Sequence, residues 1–207
     1  MFSIIRTGLD AANRDLAVIS NNIANAGTNG FKKSEAQFED LYHSQHNNST
    51  EAARGMGVKT IKPRQSFTQG SLQATNGSLD LAIMGEGFFT LGQPLGRLAT
   101  ATDRPSFTRD GSFQLDREGN LVNTDGLPLL GIAQNPINIP FLKAVADGDL
   151  SRETLLSEIS VNSEGEILAT YGLDSIEKVG QIELADFVNE HGLKNIGNAR
   201  FQETQES

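Results

Sequence analysis

Residues 20–38 read SNNIANAGTNGFKKSEAQF. An apolar helical pattern enters this stretch, meets four Asn and two Gly, and leaves as a basic, aromatic segment. Asn competes for backbone hydrogen bonds, and Gly accepts the positive φ that ends helices. The pattern predicts a helix that stops near Asn25, with Asn21, Asn22, Asn25, Gly27, Gly30 and Phe31 forming a joint. No catalytic group follows the break, so the question is what the helix packs against.

Upstream, Phe2, Ile5, Leu9, Ala12, Leu16, Ile19 and Ile23 are alternately three and four residues apart. That is the a/d seam of a coiled coil. Ile4, Ala11, Val18 and Ala26 widen the apolar face, while Arg6, Asp10, Asn13, Arg14 and Asp15 lie largely off the seam. A helix of this length is marginal alone in water, so the seam calls for a partner. An amphipathic helix lying on its own domain satisfies the same periodicity.

Downstream, Phe31, Phe38, Leu41 and Tyr42 carry a second apolar pattern, expected to anchor the segment leaving the joint. Residues 43–57 (HSQHNNSTEAARGMG) read as a loop, and strand patterns begin at Val58. Gly85 and Gly87 mark a turn. Asp110-Gly111, Glu118-Gly119, Asp125-Gly126 and Glu164-Gly165 lie between alternating runs, a strong hairpin signal. Residues 132–158 are poorly defined, and SRETLLSEI (151–159) reads as one or two helical turns. The fold class is mainly β with an N-terminal α-helix: a coiled-coil-type helix joined to an antiparallel β domain built of hairpins. The expected division is an assembly helix and joint over 1–30, an extended or loop connection over 31–65, and a β domain over 66–207. The β region from about Val58 is expected to fold without the helix.

Composition narrows the function classes. The 207 residues carry a net charge of −9 and 37 % apolar residues, with 21 Gly and no Cys or Trp. A broad nucleic-acid surface needs a basic patch that this balance disfavours. Disulfides and Cys-ligated metals are excluded. No apolar run reaches the length of a bilayer span, and charges interrupt the N-terminus where a secretory signal would be apolar.

The candidate chemistry is thin. His43 and His46 could share a face, but no third metal ligand accompanies them. Asp116-Arg117-Glu118-Gly119-Asn120 lacks the ligand spacing of a calcium loop and reads as a β-turn. Gly85-Glu86-Gly87 has no third Gly and no following helix, so it is not a dinucleotide fingerprint. No Ser has the nucleophile-elbow context. The residues ask for no catalysis, no cofactor and no metal.

ISNNIANAGTNGFKKSEAQFEDLY (19–42) resembles the N-terminal signature of bacterial flagellar rod and hook proteins. SFTQGSLQATNGSLDLAIMGEGFFTL (66–91), SFTRDGSFQLDREGNLVNTDGLPLLG (106–131) and VGQIELADFVNEHGLKNIGNARFQETQES (179–207) are similar to later blocks of that family. The resemblance implies a non-enzymatic subunit of the basal-body rod or hook, self-assembling into a hollow helical tube that transmits torque. Its seam, Phe2, Ile5, Leu9, Leu16, Ile19 and Ile23, would pack the inner wall beside a C-terminal helix. In the family that helix follows the segment ending at Ser207, so a fragment is expected. The implied partners are copies of itself, neighbouring axial proteins and the flagellar export apparatus, with no nucleic acid and no small-molecule substrate. The implied location is the flagellar basal body, reached without a cleavable signal peptide. The short stretch between Gly131 and Ile159 favours a rod-type member over a compact hook subunit.

Two other classes remain in view. A cell-wall hydrolase on a β scaffold would need a raised-pKa Glu and a second carboxylate at a set separation. A soluble binding module would dock its helix on a membrane, but two basic and two acidic residues give that helix little attraction to anionic lipid.

Overall fold

The computed structural model describes residues 2–43, 54–95, 104–147, 150–172 and 175–207. The chain divides into two compact units, Met1–Thr68 and Gln69–Ser207.

The first unit is one helix on one β ribbon. Helix α1 (Phe2–Ala24) contains no Pro, and its Ala, Leu and Arg are good helix formers. It has no acidic residue in its first turn and no basic residue in its last. Charges therefore do not complement its dipole, and packing must stabilise it. Strands β1 (Ser34–His43) and β2 (Arg54–Gln65) pair antiparallel, and α1 packs on both. The segment 31–65 is thus a paired ribbon rather than a loose connection. Within the span read as a loop, His43 and residues 54–57 are strand, while 44–53 lie outside the described residues. Strand β2, which includes Val58, pairs with β1 and packs beside α1 within the first unit. Phe38 and Leu41 do not anchor the segment, since both are exposed.

The second unit is all β with two short 3-10 turns. Its first sheet contains β3 (Phe88–Leu91) and β4 (Ser106–Thr108); a small ribbon pairs β5 (Gln114–Leu115) with β6 (Leu121–Val122). Strands β7 (Leu142–Asp147), β8 (Leu150–Val161), β9 (Glu166–Tyr171) and β10 (Ser175–Gln181) form an antiparallel meander in the order β10-β9-β8-β7. Strands β11 (Leu184–Ala185), β12 (Lys194–Gly197) and β13 (Arg200–Gln202) return to the first sheet, giving the order β11-β3-β4-β13-β12. SRETLLSEI lies entirely in β8, so it is not helical. Pairing with β7 and β9, with Leu156 and Ile159 turned to the core across a bulge, outweighs its helix-forming Glu and Leu.

The core joins the sheets through Phe89, Leu91, Phe113, Leu121, Leu129, Ile139 and Ile167. On β9, burial alternates strictly: Ile167, Ala169 and Tyr171 point inward. The Tyr171 hydroxyl donates to the Pro140 carbonyl at 2.9 Å, which satisfies the one polar atom of that ring. Burial raises its pKa above the ordinary tyrosine value.

Three turns share one chemistry. In Asp116–Asn120, Asn123–Leu127 and Asn162–Glu166 the first side chain accepts the N–H groups two and four residues on, at 2.8–3.1 Å. Each has Gly at the fourth position with φ between 74 and 81°. The Asx side chain thus occupies donors that a turn would otherwise leave to water. Asp110-Gly111 is different. No hairpin turns there, and a Cβ on Gly111 would lie 1.6 Å from the Leu81 carbonyl oxygen. This glycine permits a close backbone approach, sealed by Leu81 N–H donating to Gly111 O at 2.9 Å.

Arg109 lies over the Phe88 ring at 4.6 Å, donates to Gly87 O at 3.0 Å and pairs with Glu190 at 2.6 Å. The surrounding rings, Phe88, Phe107 and Phe187, meet edge to face. Nothing in the sequence pattern pointed to this buried cation.

Candidate assembly surface

The covered residues of α1 are Thr7, Ala11, Asp15, Val18, Asn22 and, just beyond it, Asn25. Their own spacing is close to helical. At about 100° per residue this stripe is centred about 140° around the axis from the a/d seam. The apolar face therefore splits. Ala11, 7 % exposed, and Val18 lie on the covered stripe, while the seam does not. Phe2, Ile5, Leu9, Leu16, Ile19 and Ile23 are between 44 and 90 % exposed.

The covered stripe is small and partly polar because it must let the ribbon come close. At Gly57, with φ +113°, a Cβ would stand 2.3 Å from Thr7 Oγ1. Glycine is the residue that tolerates both that φ and that approach. Burying this weak stripe costs the seam nothing, so the most apolar side of the helix remains on the surface.

The joint is built by hydrogen bonds rather than by disorder. The Asn22 side chain donates to Ser34 O at 2.8 Å and accepts from Ser34 N–H at 2.9 Å. This two-point clamp ties the last helical turn to the first residue of β1. Asn25 donates to Asn21 O at 2.9 Å, and Thr28 donates to Asn25 Oδ1 at 3.3 Å. Gly30 takes φ 68° and lets the chain reverse. Gly27 does not take a positive φ, so only one of the two glycines serves that purpose. Phe31 is half-buried, and the Lys32 ammonium donates to Phe67 O and Thr68 O at 3.4 and 3.0 Å. The seam and the joint are thus brought onto one unit, the seam outward and Asn22 inward. Sequence reading treated Asn22 as a helix breaker and missed its clamp. The covered stripe was visible only as a second, weaker periodicity.

No group of three His, Cys, Asp or Glu is placed to hold a metal among the described residues. His46 lies outside the described residues, and the His43 side chain with it. The two Asp116 oxygens accept from Glu118 and Asn120 N–H and from the Asn120 amide, leaving a turn rather than an ion loop. Those bonds, led by the Asn120 side chain, hold the Asp116 pKa below the ordinary carboxylate value. Among described residues no helix is long and apolar enough to cross a membrane.

Comparison with known proteins agrees with this arrangement. Residues 82–169 match the family model described as the flagellar hook protein FlgE/F/G D1 domain, and residues 4–32 that of the flagella basal body rod protein. The chain is 38 % identical to the flagellar basal-body rod protein FlgG of Buchnera aphidicola subsp. Acyrthosiphon pisum, over 99 % of this chain and 74 % of that protein. It is 33 % identical to the FlgG of Agrobacterium fabrum over the same shares. It is also 42 % identical to the flagellar hook protein FlgE of Caulobacter vibrioides, over 77 % of this chain but 26 % of that protein. An outward seam on a helix–ribbon unit, two matching domain models and near-complete coverage by rod relatives converge: this chain belongs to the flagellar rod and hook protein family, as a structural axial subunit of the flagellum.

Proposed function

We propose that the chain is a rod-type subunit that polymerises through the α1 seam into a hollow helical tube and transmits torque through it. The observation that carries this is the bare seam. Six large apolar residues stay exposed although the same helix already packs on its own ribbon with another face. Full burial of one such side chain is worth roughly 1.5–3 kcal/mol, which a neighbouring helix can recover and water cannot. Heterologous contacts of this kind that do not close a ring give filaments. Coverage supports rod over hook: the FlgG relatives match along 71–74 % of their length, the hook relatives along 26 and 46 %. The partners are copies of itself, adjacent axial proteins and the export apparatus, and the protein acts without catalysis. Asn21, Asn22, Asn25, Gly27, Gly30 and Phe31 set the angle between helix and ribbon.

The test replaces Leu9 and Leu16 by Asp. Incorporation into axial structures, read as motility and by pelleting, should be lost. The monomer should melt within about 0.5 kcal/mol of the wild type, as surface substitutions do. Amide exchange across residues 3–24 should be faster than on β9. Equal protection, with unchanged assembly of the variant, would place the seam outside the assembly.

A further inference from the structure

Asn-Gly occurs twice in the chain, at Asn29-Gly30 and at Asn76-Gly77. The pair has a chemistry of its own. Asparagine is among the chemically labile side chains. A glycine after it has no Cβ, so its nitrogen is unshielded and its backbone turns freely. That nitrogen can reach the carbonyl carbon of the Asn side chain. Whether it does depends on the fold, because ring closure requires rotation about the Asn Cα–C bond and a nitrogen not engaged elsewhere.

The two pairs sit in different surroundings. Asn29 and Gly30 are the central residues of a closed turn, in which Phe31 N–H donates to Thr28 O at 3.3 Å and Gly30 holds φ 68°. Rotation at Asn29 would have to break that turn. Asn76 lies in a stretch, residues 66–77, that forms neither helix nor strand, and the chain bends there. Residues 68–78 are all exposed. Among the described residues, neither the Asn76 amide nor the Gly77 N–H has a hydrogen-bond partner. The next residues fix what a change at Asn76 would touch. Asp80 Oδ2 lies 2.5 Å from the point where a Cβ on Gly77 would stand, and Asp80 N–H donates to Gly77 O at 3.3 Å. Asp80 bridges Ser112, and Leu81 N–H donates to Gly111 O at 2.9 Å.

We propose that Asn76 is a self-modifying site, converted to aspartate and isoaspartate with water as the only co-reactant, while the turn at Thr28–Phe31 protects Asn29. The Gly77 nitrogen attacks Asn76 Cγ. A C–N bond forms, the Cγ–Nδ2 bond breaks, and ammonia leaves with the Gly77 amide proton. Water then opens the five-membered imide at either carbonyl. One water enters, one ammonia leaves, and nothing is oxidised or reduced. Both products carry a new carboxylate, and the isoaspartate form also inserts a methylene into the main chain. This carboxylate arises beside the glycine that Asp80 abuts, where like charges disfavour each other. The chain from Leu79 to Leu81 then loosens from Gly111. The inference stands apart from the assembly reading.

Peptide mass spectrometry tests it on the full chain, incubated at neutral and at mildly alkaline pH, folded and in denaturant. The Asn76 peptide should gain one mass unit and split into two products, only one of which co-elutes with the peptide of Asn76→Asp. Its rate should rise with pH, because the attacking nitrogen must lose its proton. In the folded chain that rate should lie within about twofold of the rate in denaturant, since no local structure has to open first. Asn29 should react about tenfold or more slowly when folded, because its turn must open. Gly77→Ala should slow the reaction at Asn76 about tenfold and leave Asn29 unchanged. Asn76→Gln, on an exposed site, should abolish the gain there without altering the circular dichroism melt. Asn76→Asp should quicken amide exchange at Leu81 and leave β9 unchanged. No mass gain at Asn76 in the folded chain, or protection there equal to that of Asn29, would overturn the proposal. Unchanged exchange at Leu81 in Asn76→Asp would overturn the coupling to Gly111.

Discussion

The two units use their apolar residues in opposite ways. Among the described residues, Gln69–Ser207 buries seventeen apolar side chains and exposes eleven large ones. Met1–Thr68 buries two, Ala11 and Phe67, and exposes eleven in half the length. The second unit has the core of an independent fold. The first leaves most of its large apolar side chains exposed, so few buried contacts offset the entropy of ordering it. The proposed rod subunit would use both, a packed body and an apolar surface open to a neighbour.

The widest separation between the units should appear on truncating equivalent residues. Leu129→Ala, in a fully buried site, should cost about 2–5 kcal/mol in denaturant unfolding. Ile19→Ala, on the seam, should cost no more than about 0.5 kcal/mol in the monomer while impairing assembly. Comparable losses would mean that the seam is a core face and the contrast is false.

A smaller effect probes the clamp between helix and ribbon. Asn22→Ala removes both bonds to Ser34 and leaves its N–H and C=O half-buried without that partner. A loss of about 1–3 kcal/mol is expected, confined to the first unit. Hydrogen exchange should accelerate in α1 and at Ser34 and stay unchanged on β9. Acceleration on β9 would couple the two units.

The smallest effect is the acid response of the second unit. Asp116 is held at a lowered pKa chiefly by the Asn120 amide, and Glu166 chiefly by Lys178 and then by the Asn162 amide. A carboxylate with a depressed folded pKa contributes stability above its unfolded value, and loses it as pH falls through the folded one. Melting temperature should therefore decline below about pH 4, the ordinary carboxylate range. Asp116→Asn with Glu166→Gln should flatten that decline without changing the plateau at neutral pH by more than a few degrees. An unchanged slope would assign acid sensitivity to other carboxylates.

Much of this was legible in the chain itself. A helix seam is a local fact, because 3.6-residue periodicity places Phe2, Ile5, Leu9, Leu16, Ile19 and Ile23 on one side whatever surrounds them. The helix end at Ala24 and the glycine turns at 119, 126 and 165 follow equally from nearest-neighbour chemistry. What the helix covers is not local. By periodicity Ala11 and Val18 belong to one broad apolar face; the ribbon covers that side, with Gly57 close against Thr7. The same holds for SRETLLSEI, whose strand state comes from pairing with β7 and β9, and for Arg109, whose partners lie 22 and 81 residues away. Periodicity and turn chemistry act within a few residues and are written in the sequence; choice of face, strand pairing and buried ion pairs join distant residues, and only tertiary packing selects them.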